Sequence, residues 1–324
     1  MRSLWIGFAV FLLGALPASA AAPAVDSIEA RPAAPAESTD AVDKEYRQLL
    51  VEDDAAQIEV DQWIKEHQTF EAKGVGGPKA ALSLRVQQRL DRVVKAYEDF
   101  LKRNPRHVPA RLAFGSLLDD LGREADAKDQ WEKATELDPN HPAAWNNLAN
   151  YYGHNGPVTN AFRCYEKAIA LNPREPVYYQ NLATTTFLYR SDAKAYYGID
   201  EQKVFDRSLD LYRRALELDP RNFVLASELA QTYYGIKPSR LEEAVRAWEH
   251  ALQVADDPVQ REGVHIHLAR HFILQERFGE ARQQLALVTN AVYQALKDRL
   301  TRNLEARAAE AGSRPKEPSG SRGQ

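Results

Sequence analysis

Between residues 88 and 290 the apolar positions fall into alternating pairs of helical stripes. The clearest pair is Trp145, Leu148, Ala149 and Tyr152, spaced to lie on one face of a helix, followed by Ala161, Tyr165 and Ala168 on one face of a second. Leu171-Asn172-Pro173 then ends the phrase. Spacings of three and four residues place such side chains one above another on a helix, so the pattern predicts a helical hairpin. Ala149 and Ala161 are small where the helices must approach, while Trp145, Tyr152 and Tyr165 fill the space around that contact.

The hairpin recurs. Pro105, Pro139 and Pro173 stand 34 residues apart, and a fixed period of that length marks a repeat array. The preceding unit reads Phe114, Gly115, Leu118, Ala127, Trp131, Ala134 and Pro139, lacking only a large residue at Arg111. The following one reads Tyr179, Leu182, Ala183, Ser208, Tyr212, Ala215 and Pro220. A fourth runs Ala226, Leu229, Ala230, Tyr233, Ala244, Trp248, Ala251, and a fifth His265, Leu268, Ala269, Phe272, Ala281, Leu285, Val288. Val93, Tyr97, Phe100 and Pro105 supply the second-helix half of a sixth unit whose first half is not recognisable. The phrase resembles the tetratricopeptide repeat, with Ala149 in place of its glycine and Tyr165 in place of its phenylalanine. The resemblance covers about 88–290 and implies an all-α fold, a right-handed superhelical solenoid of helix-turn-helix hairpins.

The third unit is longer by 13 residues, since Pro173 and Pro220 lie 47 apart. The excess falls near 189–201, where Tyr196-Tyr197-Gly198 precedes Asp200. Gly198 permits a turn and Asp200 suits the cap of a helix beginning near Glu201. Two adjacent tyrosines are expected to pack the insert back onto the neighbouring helices as a rigid flap.

The flanks read differently. Residues 1–20 hold Arg2, an apolar run from Leu4 to Leu16 and Ala18-Ser19-Ala20, the pattern of a secretory signal cleaved after Ala20. The run of 13 residues is too short for the ~20 of a membrane-spanning helix. Residues 21–40, rich in Ala and Pro, read as a disordered linker. Within 41–87 a helix is expected over Val42 to Gln68 with Leu50, Trp63 and Ile64 among its apolar positions, its spacing too irregular for heptads. It ends at Gly74-Val75-Gly76-Gly77-Pro78-Lys79, a hinge that lacks the spacing and the preceding strand of a phosphate loop. At the far end, 291–310 reads as a capping helix through Val292, Leu296, Leu300 and Leu304, and 311–324 as a disordered tail.

The formal net charge of −4 gives no global basic field, which argues against a nucleic-acid partner. The lone Cys164 lies inside a repeat helix and reads as a small apolar packing residue. Gly-x-Ser-x-Gly and His-Glu-x-x-His are absent, so no catalytic residues and no cofactor are assigned. Glu262, His265, His267 and His271 come nearest to a metal set, but a di-iron centre needs two Glu-x-x-His segments and only one is present; His265 holds a core position of its repeat.

What remains is a surface. The resemblance implies that the first helices form an inner wall that holds a protein or peptide partner. Its inner positions fall here on Ser116, Asn146, Asn150, His154, Gln180, Thr184, Ser227, Gln231, Tyr234 and Arg270, with Leu112, Asp119, Phe187, Ile266 and Ile273 beside them. Ser116, Asn150, Thr184, Gln231 and Arg270 occupy one place in successive repeats and all carry hydrogen-bonding groups suited to a peptide backbone. The Lys and Arg clamp for a chain terminus is matched only at Asn150. The expectation is an exported, periplasmic, non-enzymatic scaffold; the alternative is a structural subunit that self-associates through Val42 to Gln68 or the capping helix.

Overall fold

The computed structural model describes residues 41–74 and 77–313. The signal-like segment, the linker and residues 314–324 lie outside the described residues. Regular structure among the described residues is entirely helical and falls into two compact units that divide between Pro173 and Arg174.

The first unit holds α1 (Ala41–Ala72), α2 (Lys79–Arg103), α3 (Val108–Asp120), α4 (Glu124–Leu137), α5 (Pro142–Asn155) and α6 (Val158–Leu171), paired in order as three hairpins. The missing first half of the sixth unit is α1, which packs along α2. It escaped recognition because its buried face is Tyr46, Leu49, Asp53, Ala56 and Val60, a stripe with a carboxylate at its centre, whereas Leu50, Trp63 and Ile64 are only half-buried.

The second unit holds α7 (Pro176–Leu188), α8 (Arg190–Tyr197), α9 (Glu201–Leu218), α10 (Phe223–Thr232), a 3₁₀ turn at Tyr233–Gly235, α11 (Leu241–Val254), α12 (Pro258–Leu274), α13 (Phe278–Ala286), a second 3₁₀ turn at Ala291–Tyr293 and α14 (Gln294–Ser313). Its hairpins are α7 with α9, α10 with α11 and α12 with α13, and α14 lies against the last of them. Leu300 and Leu304 of α14 are buried, but Val292 is 52% exposed, and the helix continues through 311–313, which the sequence assigned to the tail.

The turns repeat at the level of single bonds. Asn104, Asp138, Asn172 and Asp219 each stand before a proline and each donate a backbone N–H to the carbonyl four residues back, at 2.8, 2.9, 2.9 and 2.9 Å. A residue before proline is pushed out of the helical region, so the chain breaks there. Helices then restart where Pro142, Pro176 and Pro258 take the first position, which needs no N–H. Asp200, Asn222 and Asp257 cap α9, α10 and α12, accepting from Lys203, Leu225 and Val259 N–H at 2.9, 3.0 and 2.9 Å.

Packing within each hairpin rests on small residues at the crossing. Ala127, Ala161, Ser208, Ala244 and Ala281 are all buried, and Ser208 donates its hydroxyl to the Ala183 carbonyl at 2.9 Å. A Cβ on Gly115 would stand 2.3 Å from Trp131 Nε1, so this one indole requires the glycine opposite it. Two aromatics assigned to the core lie at its edge: Trp145 and Tyr152 are half-buried. Trp145 donates to the Pro139 carbonyl at 2.8 Å and Tyr152 to Glu132 at 3.2 Å. Arg111, the apparent gap in the preceding repeat, repeats the Trp145 contact: its Nε donates to the Pro105 carbonyl, also six residues back, at 3.1 Å. The insert is α8. Its Ala193 is buried, Tyr196 meets Tyr197 edge-on at 4.8 Å, and Arg207 of α9 lies 3.9 Å over Tyr197.

Candidate functional site

Each unit presents the inner positions on its own first helices. In the first unit they are closed upon their own repeat. Ser116 donates back to the Leu112 carbonyl at 3.2 Å, and Asn150 Oδ1 accepts from Tyr165 at 2.7 Å. His154 is exposed at the end of α5, where it bears electrostatically on Asp119. Asn146 is buried. It is therefore a packing residue rather than a groove contact, because the close approach of neighbouring helices covers it.

The second unit links its first helices side chain to side chain. Gln180 of α7 donates to Glu228 of α10 at 2.9 Å. Tyr234, just beyond α10, lies 2.9 Å from His267 Nδ1 on α12. Thr184 donates to the Gln180 carbonyl at 3.0 Å, so Tyr212 is the donor in the 2.7 Å contact between their hydroxyls. Thr232 donates to the backbone carbonyl of Glu228 at 2.9 Å. Gln231 is half-buried, and its side chain has no hydrogen-bond partner among the described residues. Ser227 is buried, which takes it off the surface, and its hydroxyl likewise finds no partner among the described residues. Leu112, Phe187, Ile266 and Ile273 are also core rather than wall. Phe187 packs on Phe205 and so near Gly235 that a Cβ there would lie 2.5 Å from its ring.

The histidines are absorbed by packing. Trp248 stacks on His267 at 4.0 Å and Tyr234 on His271 at 4.7 Å. Arg270 lies 5.5 Å from the Tyr234 ring and bonds its hydroxyl. Burial, reinforced by Arg270, pushes His267 down to about 3 and His271 to about 4. His265, expected to be buried, is half-buried and pairs with Gln284 at 2.7 Å; the buried histidine is His271, 1% exposed, with neither ring nitrogen partnered among the described residues. Glu262 accepts from the backbone of Thr289 and Asn290 at 2.7 and 2.6 Å, which engages it in the turn before α14.

The residue that sequence reasoning missed is Glu228. Burial raises its carboxyl to about 7, against the lowering effect of the Gln180 bond. The signal was available: Glu228 is the lone charge in the run from Phe223 to Tyr234.

Helical hairpins of this period define a class of repeat protein. A tetratricopeptide-repeat model matches residues 108–141 and a second matches 131–156, so the chain carries tetratricopeptide repeats. No curated protein matches it. Among solved structures it is similar to MamA, at 24% identity over 52% of this chain and 91% of that one, with a TM-score of 0.43. It is also similar to YrrB, described as a TPR protein with an unusual peptide-binding site, at 16% identity over 64% of this chain and 99% of that one, TM-score 0.49. A third is PilF of Pseudomonas aeruginosa, at 22% identity over 65% and 90%, TM-score 0.46.

Proposed function

We propose that the chain is an exported scaffold that holds a protein or peptide partner on its first helices and catalyses no reaction. The observation that carries this reading is α10. Its side chains Glu228 and Gln231 are half-buried and keep hydrogen-bonding capacity that the fold leaves unspent, and accessible donors and acceptors along a helix are what an extended backbone can use. Export to a bacterial periplasm is the part of the reading supported by Arg2, the apolar run to Leu16 and Ala18-Ser19-Ala20. A photoreactive residue at position 231 is expected to crosslink one protein in cells, whereas the same residue at the exposed Arg246 of α11 captures none. N-terminal sequencing is expected to begin at Ala21. Equal capture at both positions, or a chain retained in the membrane with Met1 intact, would overturn the two halves of the reading separately.

A second reading is favoured by α1, where Val51 and Ile58 are each 68% exposed on the side away from the buried stripe. An apolar pair in that position suits self-association. Light scattering behind a sizing column separates the readings, since a monomer at micromolar concentration removes the second.

A further inference from the structure

We propose that Glu228 is the receptor for a basic side chain of the partner, so that the second unit selects an extended peptide carrying a lysine or arginine. The inference rests on the peptide-binding reading and adds its chemistry.

An ionised carboxylate offers about four acceptor sites. Glu228 uses one, the bond from Gln180 to Oε2. The groups tied to it are uncharged: the Gln180 amide on α7, the Tyr212 hydroxyl on α9, already donated to Thr184, and on its own helix Thr232, already donated to the Glu228 backbone carbonyl. Three cations of the same unit are engaged elsewhere. Arg213 pairs with Asp210 at 2.8 Å, Arg214 with Glu217 at 2.6 Å, and Arg270 lies over Tyr234. No ion pair is formed by Glu228 among the described residues.

A carboxylate drawn partly out of water without a cation is destabilised unless something supplies one. In a structural ion pair the fold would do so; here the half-buried position on the inner side of α10 leaves the task to a ligand. Gln231, one turn further along and half-buried, gives the second indication, since its side chain has no hydrogen-bond partner among the described residues. Beneath them the buried Ser227 hydroxyl is likewise unmatched among the described residues. Glu228 and Gln231 form a short polar track with an anion at its head, matched by a peptide whose ammonium or guanidinium meets Glu228 and whose backbone meets Gln231. The raised affinity of Glu228 for a proton in the empty state is the same deficit seen from the other side, since a proton is the one cation small enough to satisfy it alone.

The test uses the full chain and a random nonapeptide display library, selected in parallel against wild type and Glu228→Gln. The variant keeps the shape and the Gln180 contact while removing the charge, so it is expected to fold. Wild type is expected to enrich peptides with Lys or Arg at one fixed position. Glu228→Gln is expected to lose that preference and bind the enriched peptides at least tenfold more weakly, with Glu217→Gln on the outer surface unchanged. Enrichment without a basic position, or a basic position that survives in Glu228→Gln, would overturn the inference and leave the peptide reading standing. No enrichment at all by wild type would overturn both.

Discussion

Each unit holds a carboxylate on a first helix, Asp53 buried and Glu228 half-buried, and they treat it differently. Asp53 of α1 is 6% exposed and receives two bonds, from Gln57 at 2.9 Å and from Tyr97 at 2.7 Å. Glu228 of α10 receives one side-chain bond, from Gln180. The contrast extends to the neighbours: Thr186, Ser227, Trp248 and His271, all in the second unit, hold buried polar atoms that find no hydrogen-bond partner among the described residues. Leaving such an atom unmatched costs about 1–3 kcal/mol, whereas matching it contributes only about 1. The same repeat can therefore build a polar interior that serves stability and one that is held open, and the second unit is where binding chemistry is sought.

The largest test of that contrast is a pair of substitutions with opposite signs. Tyr97→Phe strips Asp53 of its shorter bond and is expected to destabilise by ~1–3 kcal/mol. Glu228→Gln is expected to stabilise, in a pH-dependent way. Because burial raises the folded carboxyl from its ordinary 4.5 to about 7, the native state holds its proton more tightly than the unfolded chain. Its stabilising contribution is full below 4.5 and lost as pH rises through 7. The variant should thus match wild type near pH 4.5 and melt higher at pH 8, by an amount worth ~1–3 kcal/mol. Equal melting temperatures across this range would mean that Glu228 is as well satisfied as Asp53, and the comparison would collapse.

An intermediate effect is expected at His271. Burial lowers it from the ordinary 6.5 to about 4, so the stability it contributes is present above 6.5 and lost as pH falls toward 4. His271→Leu keeps the packing against Tyr234 and removes both unpartnered nitrogens. Its melting temperature relative to wild type is expected to be higher at pH 5 than at pH 7.5, in steps of about 1 kcal/mol. A difference that does not change with pH would place a bonded water or a counter-charge beside His271.

The hairpins were legible because their pattern is carried by volume: small residues at the crossing and large ones around it recur in every copy, 34 residues apart in the first copies and further apart later. Asp200 as a cap and Glu201 as the first residue of α9 followed from the same local logic. The groove was less legible because an inner position in sequence does not reveal what it already bonds. Asn150 reads as free until Tyr165 is placed opposite it, and Asn146 as exposed until neighbouring helices cover it. The helix over Val42 to Gln68 was expected, but Asp53 hid its part in the sixth repeat by placing a charge in a buried stripe, while Glu228 was passed over for the opposite reason, as a charge beside positions already chosen.

The smallest expected effect concerns the entry to α3 and α5, two first helices of the first unit that are set by one device from different residues. Trp145 reaches the Pro139 carbonyl through one indole N–H, half-buried at 2.8 Å, and Arg111 reaches the Pro105 carbonyl through its guanidinium. Trp145→Phe keeps most of the ring and deletes only the donor, leaving a carbonyl that water can reach, so the loss is expected at ~0.5–1.5 kcal/mol. Arg111→Met keeps the aliphatic stem and is expected to cost the same, provided its 2.7 Å bond to Gln130 adds little on that partly exposed surface. The quantity to measure is the shift in urea midpoint for each single variant and for the two together. Two shifts of similar size that add are expected, since the residues sit in separate hairpins. A Trp145→Phe midpoint equal to wild type would show that the ring, rather than its N–H, sets the turn, and that Arg111 is a true gap in its repeat.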